Sequence, residues 1–214
     1  MYQPPHFRED DLQVQHALIR AHPLALLVTA SAGRPTANVL PFHLDAGRSP
    51  LGTLSAHMAK ANGQWQEIRD GAEVLVVFQG VDSYITPSWY VTKQETGKVV
   101  PTWNYAIVQV RGRATIVDDA ERLRHHVATL TDSHETSRRD PWAVDDAPET
   151  FIRSQIKGIV GLEIEISGID GKWKVSQNRP EGDRAKVAEN LAADGEPLRN
   201  PQMAALVRRY GERR

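Results

Sequence analysis

The segment "AIVQVRGRATIVDD", residues 106–119, constrains the fold more than any other stretch. Val108, Val110, Gly112 and Ala114 alternate with Gln109, Arg111, Arg113 and Thr115, the period of two that a strand shows when one face is buried. The small residues on its apolar side predict a bulge or a barrel corner. Further β-rich runs lie at 24–30, 36–45 and 73–80, the first two reading as a hairpin that turns around Gly33. Residues 82–90 read as another strand broken at Pro87, and residues 158–178 as a hairpin turning at 169–171. Helices are expected after Asp10 or Asp11 until Pro23 and over 59–69 and 119–131. Others are expected near Pro148, over 183–193 and over 200–210, where Asn200 caps and Pro201 opens the first turn. Residues 93–105, polar and containing Gly97 and Pro101, read as a loop. Strands with helices at irregular intervals, without βαβ alternation or a GxGxxG turn, predict a mainly β (α+β) fold: an antiparallel sheet closed into a barrel, with peripheral helices.

Composition narrows the function. With 214 residues, 40% of them hydrophobic, the chain suffices for one large domain, or for one domain with a small appendage. The absence of cysteine excludes disulfides, thiolate zinc sites and cysteine nucleophiles, and suits a reducing compartment. The opening "MYQPPHFRED" has no positive region followed by an apolar run, and no segment approaches a membrane span, so a soluble cytoplasmic protein with no membrane partner is expected. A net charge of −1 gives no global attraction to DNA. His125 and His126 are helix neighbours that cannot share a face, and no HExxH accompanies them, so no metal site is expected. There is no G-x-S-x-G elbow, and the acidic pairs at 118–119 and 145–146 are explained by capping.

Three clusters could bind a ligand. "TLSAHMAKANGQW" (53–65) places a hydroxyl, an imidazole and an ammonium, Ser55, His57 and Lys60, near one strand end. A phosphate would use them together with the amides of a following helix N-terminus; a strand-to-helix turn with a solvated lysine is the simpler account from these residues alone, since no glycine-rich phosphate signature accompanies them. "PSWY" and "PTWNY" bring aromatic rings into a polar stretch, either as core anchors or as cover for a planar ligand. Trp89 and Tyr90 read as core, whereas Thr102, Trp103 and Asn104 could meet a polar ring edge. "KWKVSQN" (172–178) offers Lys174 and Gln177, or simply a solvated strand end.

The residues "YQPPHF", "HMAKANGQW", "SYITPSWY", "VPTWNY" and "KWKVSQNRP", in this order over residues 2–180, resemble the PaiB family of FMN-binding negative transcriptional regulators. The resemblance implies a flavin-binding split β-barrel related to pyridoxamine-phosphate oxidases, a homodimer with flavin at the subunit interface, and FMN as cofactor. It implies that Asn38, Val39 and Leu40, with Pro41 beside them, and Ser55, His57 and Lys60 hold the phosphate, and that Thr102, Trp103, Asn104, Lys174 and Gln177 reach the flavin. Residues 1–180 would form the flavin-binding domain with its N-terminal helix, and 181–214 a C-terminal helical extension of it. Three functions remain open: a negative regulator, a flavoenzyme of oxidase or reductase type acting on a small molecule, and a flavin-binding dimer without turnover. No helix-turn-helix with a basic second helix is apparent, so direct DNA binding is not supported and regulation is expected to be indirect.

Overall fold

The computed structural model describes residues 1–68 and 71–212. In chain order the elements are β1 (Arg8–Glu9), α1 (Leu12–Ala21), β2 (Leu24–Ser31), β3 (Arg34–Pro41), β4 (His43–Asp45), β5 (Thr53–Ala59), α2 (Gln64–Glu67) and β6 (Glu73–Ile85). There follow α3 (Val91–Thr96), β7 (Thr102–Val117), α4 (Ala120–Glu135), α5 (Glu149–Lys157), β8 (Ile159–Lys174), α6 (Glu181–Ala192) and α7 (Pro201–Gly211). Among the described residues the eight strands form one sheet in the order β3-β2-β6-β7-β8-β5-β4, with β1 on β8. The chain divides into two compact units, one of residues 16–78 and 109–169, the other of residues 1–15, 79–108 and those from Asp170 onward.

In the first unit β2 and β3 pair in register from Leu24↔Pro41 to Ser31↔Arg34. Gly33, at φ 75°, supplies the left-handed turn. The strand expected over 36–45 is two strands: Phe42 turns inward and meets Phe78 edge-on at 5.8 Å, and His43–Asp45 then pairs with β5. The helix expected over 59–69 is a single turn, because Ala59 is still paired with Ile159 and Lys60 N donates to Gly158 O at 2.9 Å. Its expected last residue, Arg69, lies outside the described residues. That turn plugs the hairpin: buried Gln64 donates to Leu27 O and Thr29 Oγ1, and Glu67 accepts from the hydroxyls of Thr29 and Thr36. The alternation of β7 holds, with Val110 and Ala114 fully buried. A Cβ on Gly112 would stand 2.2 Å from Glu165 O, so this glycine permits two backbones to approach. Asp119 caps α4 by accepting from Arg122 N at 2.9 Å, and the helix continues past Thr131 to Glu135. Leu123 of α4 packs with Val144 and with Ile152 and Ile156 of α5.

In the second unit Trp173 stacks on Tyr210 at 6.3 Å, and Glu9, itself buried, accepts from Tyr210 Oη. Asp183, expected to begin a helix, instead lies inside α6, buried, and accepts from Thr92 N and Oγ1 at 3.0 and 2.9 Å. Asn200 caps α7 through Met203 N at 3.0 Å. The polar stretch 93–105 is not one loop: α3 occupies its start, Gly97 closes that helix at φ 67°, and β7 begins at Thr102.

Two expected breaks do not occur. β6 runs unbroken to Ile85, so the strand read over 82–90 is its second half, and Pro87 opens a 3-10 turn. β8 is continuous across 169–171, where a hairpin turn was expected. Neither Gly168 nor Gly171 has a positive φ. Gly168 leaves room for the Arg111 guanidinium, and a Cβ on Gly171 would stand 2.7 Å from Glu9 O, so these glycines serve close approach rather than reversal.

Candidate functional site

Ser55 and His57 lie two apart on β5 and share a face. Ser55 stands in register with His43 of β4 and Glu163 of β8, and His57 with Gly161 of β8. A Cβ on Gly161 would meet Leu123 at 2.9 Å, so the bare glycine lets α4 lie against this face. One helical turn beyond Leu123, His126 then reaches both strand residues. Its Nδ1 is 3.2 Å from Ser55 Oγ and its Nε2 is 3.1 Å from His57 Nδ1, with the two rings edge to face. Sequence reasoning set His126 aside as a helix neighbour of His125. Its partner lies 69 residues away, so only a helix docked on the strand makes the pair visible.

Burial lowers the His57 imidazole below its ordinary pKa. It lowers His126 further, to about 4, with the charges of His57 and His43 adding to the effect. Both rings are therefore neutral at pH 7 and each offers one N–H and one lone pair. Ser55 and His126 open on a cleft of about 490 Å³ lined also by His43, Arg48, Arg122 and His125. Glu163, which also lines it, accepts from Arg48 through both carboxylate oxygens, at 3.0 and 2.7 Å, and pairs with Arg122 at 2.8 Å. Burial alone would raise the Glu163 carboxyl; the two guanidinium groups outweigh it and hold the pKa below its usual value.

Lys60 follows the end of β5. Its amide is bonded to Gly158 O, so it offers no free helix N-terminal donor. Its ammonium pairs with Asp118 Oδ1 at 2.7 Å, with both side chains exposed. An exposed carboxylate holds such a cation weakly, and a phosphate can replace it. Trp65 Nε1 donates to Lys60 O at 3.0 Å and anchors the turn. On β3, Asn38 donates to Gln64 Oε1 at 2.9 Å, Leu40 is buried, and Val39 points to the other, exposed face. Ser55 and His57 are thus brought together, with Lys60 beyond them on the same chain segment.

The second unit holds the remaining candidates. Lys174 Nζ donates to Thr102 Oγ1 and Trp103 O, each at 2.5 Å. Among the described residues it has no carboxylate partner, and burial, then Arg179 and Lys172, lowers its pKa. Trp103 is 55% exposed, with Tyr84 edge-on at 5.9 Å. Asn104 is buried against Ser176 Oγ at 2.9 Å, and Gln177 bonds its own turn through Val175 N and Trp173 O. Those two bonds hold Ser176 at φ 67°, a left-handed conformation uncommon for serine. Thr102, Trp103 and Lys174 therefore converge, whereas Asn104 and Gln177 already have their polar groups bonded within the fold.

Taken separately, the hydroxyl, imidazole and ammonium of the one unit suit a phosphate, and the ammonium beside an exposed indole in the other suits a planar anionic ligand. A family model described as "Putative FMN-binding domain" matches residues 1–168. The uncharacterized protein AN0679 of Emericella nidulans is 36% identical, over 95% of each chain. The protease synthase and sporulation protein PAI 2 of Bacillus subtilis is 31% identical, over 97% of this chain and 96% of that protein. The FAD and heme binding protein of Mycobacterium smegmatis shares the fold, with a TM-score of 0.58 over 78% of this chain and 73% of that one at 16% identity. The antiparallel sheet with its peripheral helices is accordingly the mainly β fold of a split β-barrel. With the family model covering most of its length and PAI 2 aligned nearly end to end, the chain belongs to the PaiB family of FMN-binding proteins.

Proposed function

We propose that this protein binds FMN and acts as a PaiB-like negative transcriptional regulator whose effect on DNA is indirect. The observation that carries the reading is the group at the end of β5. Ser55 and His57 share a face, and the Lys60 ammonium, paired with the exposed Asp118, supplies a cation for one phosphate. One monophosphate group and no dinucleotide turn favour FMN over FAD. FMN supplies the redox chemistry of its ring, while the protein supplies position and electrostatics. The protein works as a cytoplasmic homodimer: Leu26 and Val39 are register partners on the edge hairpin, and both are exposed beside Leu24. An apolar edge of this kind is covered by a second copy rather than left to water.

The second reading is a flavoenzyme, favoured by Lys174 beside the exposed Trp103, a cationic and planar surface open to a small anionic substrate. One experiment separates the two. Purified protein loaded with FMN is mixed anaerobically with NADH or NADPH, and the visible flavin absorption is followed. Stable absorption supports the regulator; rapid bleaching supports the enzyme; failure to retain FMN at micromolar concentration overturns both.

A further inference from the structure

Ser55, His126 and His57 form a chain of two hydrogen bonds, at 3.2 and 3.1 Å, and each bond needs one hydrogen. A neutral imidazole carries one N–H and one lone pair. With its hydrogen on Nε2, His126 donates to His57 Nδ1. His57 then keeps an N–H at Nε2 for a ligand, while Ser55 donates to His126 and has only lone pairs left. With its hydrogen on Nδ1, His126 donates to Ser55, whose own hydroxyl hydrogen becomes free. His57 then donates inward and has a bare lone pair at Nε2. In the neutral chain, therefore, Ser55 and His57 cannot both donate to the same cofactor. One added proton removes the conflict: with His57 doubly protonated, both ends donate.

We propose that binding of the FMN phosphate at Ser55 and His57 takes up one proton, and that His126 is the positioning residue that enforces the uptake. The proposal rests on the reading of Ser55 and His57 as phosphate contacts and adds a residue and a pH linkage to it. The surroundings support a neutral chain before binding. His43 of β4 and His125 of α4 oppose a positive charge on His126, and the carboxylate of Glu163 on β8, which would favour one, is already held by Arg48 and Arg122. Asp45 and Glu121 line the cleft beyond them, and Lys60 with Asp118 follows the strand end. A dianionic phosphate reverses the balance, since it stabilises an imidazolium that the empty site disfavours. Affinity for FMN then falls as pH rises above neutral, by up to about tenfold per pH unit for one linked proton.

The test is calorimetric titration of FMN into the full-length flavin-free protein near neutral pH, in two buffers of different ionisation enthalpy, for wild type and His126→Leu. Uptake near one proton in the wild type and near zero in the variant supports the proposal. Equal uptake in both overturns it while leaving FMN binding intact, because the proton then resides elsewhere, for example on the phosphate itself. No FMN binding by the wild type overturns the functional reading and the proposal with it. Should His126→Leu fail to fold, the ring nitrogen signals of His57 and His126 in wild-type protein decide. Two neutral, hydrogen-bonded rings before FMN and an imidazolium at His57 after it support the linkage; unchanged protonation overturns it.

Discussion

Lys60 Nζ lies 2.7 Å from Asp118 Oδ1, and both side chains face solvent. An exposed pair adds at most about 1 kcal/mol to stability. Lys60→Ala is therefore expected to leave the melting temperature nearly unchanged while weakening FMN binding roughly ten- to hundredfold, the loss of one charge-assisted phosphate contact. Asp118→Asn is expected to strengthen binding, because the ammonium is no longer shared. Fluorescence titration with FMN checks both, and equal affinities for wild type and Lys60→Ala would remove Lys60 from the phosphate site.

His126 makes stability depend on acid. Its folded pKa, about 4, lies below the unfolded value of 6.5, so the unfolded chain binds more protons between these limits. The contribution is fully present above pH 6.5 and is lost as pH falls toward 4, on the order of 3 kcal/mol in all. Urea denaturation at pH 7 and pH 5 is expected to show a lower midpoint at pH 5, with a smaller difference in His126→Gln. An undiminished difference in the variant would assign the acid sensitivity to other groups.

Leu26 and Val39, paired across the edge hairpin, are expected to lie in a dimer interface. Light scattering at micromolar concentration should give twice the chain mass for wild type and the single mass for Leu26→Lys with Val39→Lys. A monomeric wild type that still retains FMN would contradict the dimer.

Direct, specific DNA binding at physiological salt is not expected. Three basic stretches stand in the sequence, at 138–139, 153–157 and 208–214; Arg138 is paired with Glu135 at 3.2 Å and Arg153 with Glu149 at 3.1 Å, so the first two are partly neutralised. The third begins at Arg208, and its last residues, Arg213 and Arg214, lie outside the described residues. Affinity that depends on releasing counterions from phosphates is small for a chain of net charge −1. Mobility shifts on the gene's own upstream region, with and without FMN, provide the check; saturable nanomolar binding that survives competitor DNA would establish direct regulation.

Gly112→Ala is expected to destabilise by at least about 3 kcal/mol or to prevent folding, since the added carbon would stand 2.2 Å from a backbone oxygen that cannot rotate away. Gly63→Ala, with nothing within 4 Å of its added carbon, should stay within about 0.5 kcal/mol of wild type. Thermal melts of the two variants give the contrast directly.

The features legible in the amino-acid order are the local ones. The alternation of Val108, Val110 and Ala114 marks a half-buried strand because side chains alternate faces whatever the strand packs against. Asn200 before Pro201 and Asp119 before α4 mark helix starts because each cap bonds an amide three residues on. The strand-end residues Ser55, His57 and Lys60 are recognisable for the same reason, as neighbours in sequence. Tertiary structure alone decided whether a glycine turns the chain or lets another backbone approach: Gly33 turns, while Gly112 and Gly171 sit against Glu165 and Glu9. It also decided that Asn104 spends its amide on Ser176, 72 residues on, and that His126 joins Ser55 to His57. That last pairing depends on how closely α4 lies on β5, which is set by the missing side chain of Gly161 and the packing of Leu123, and no local pattern around residue 126 encodes that distance.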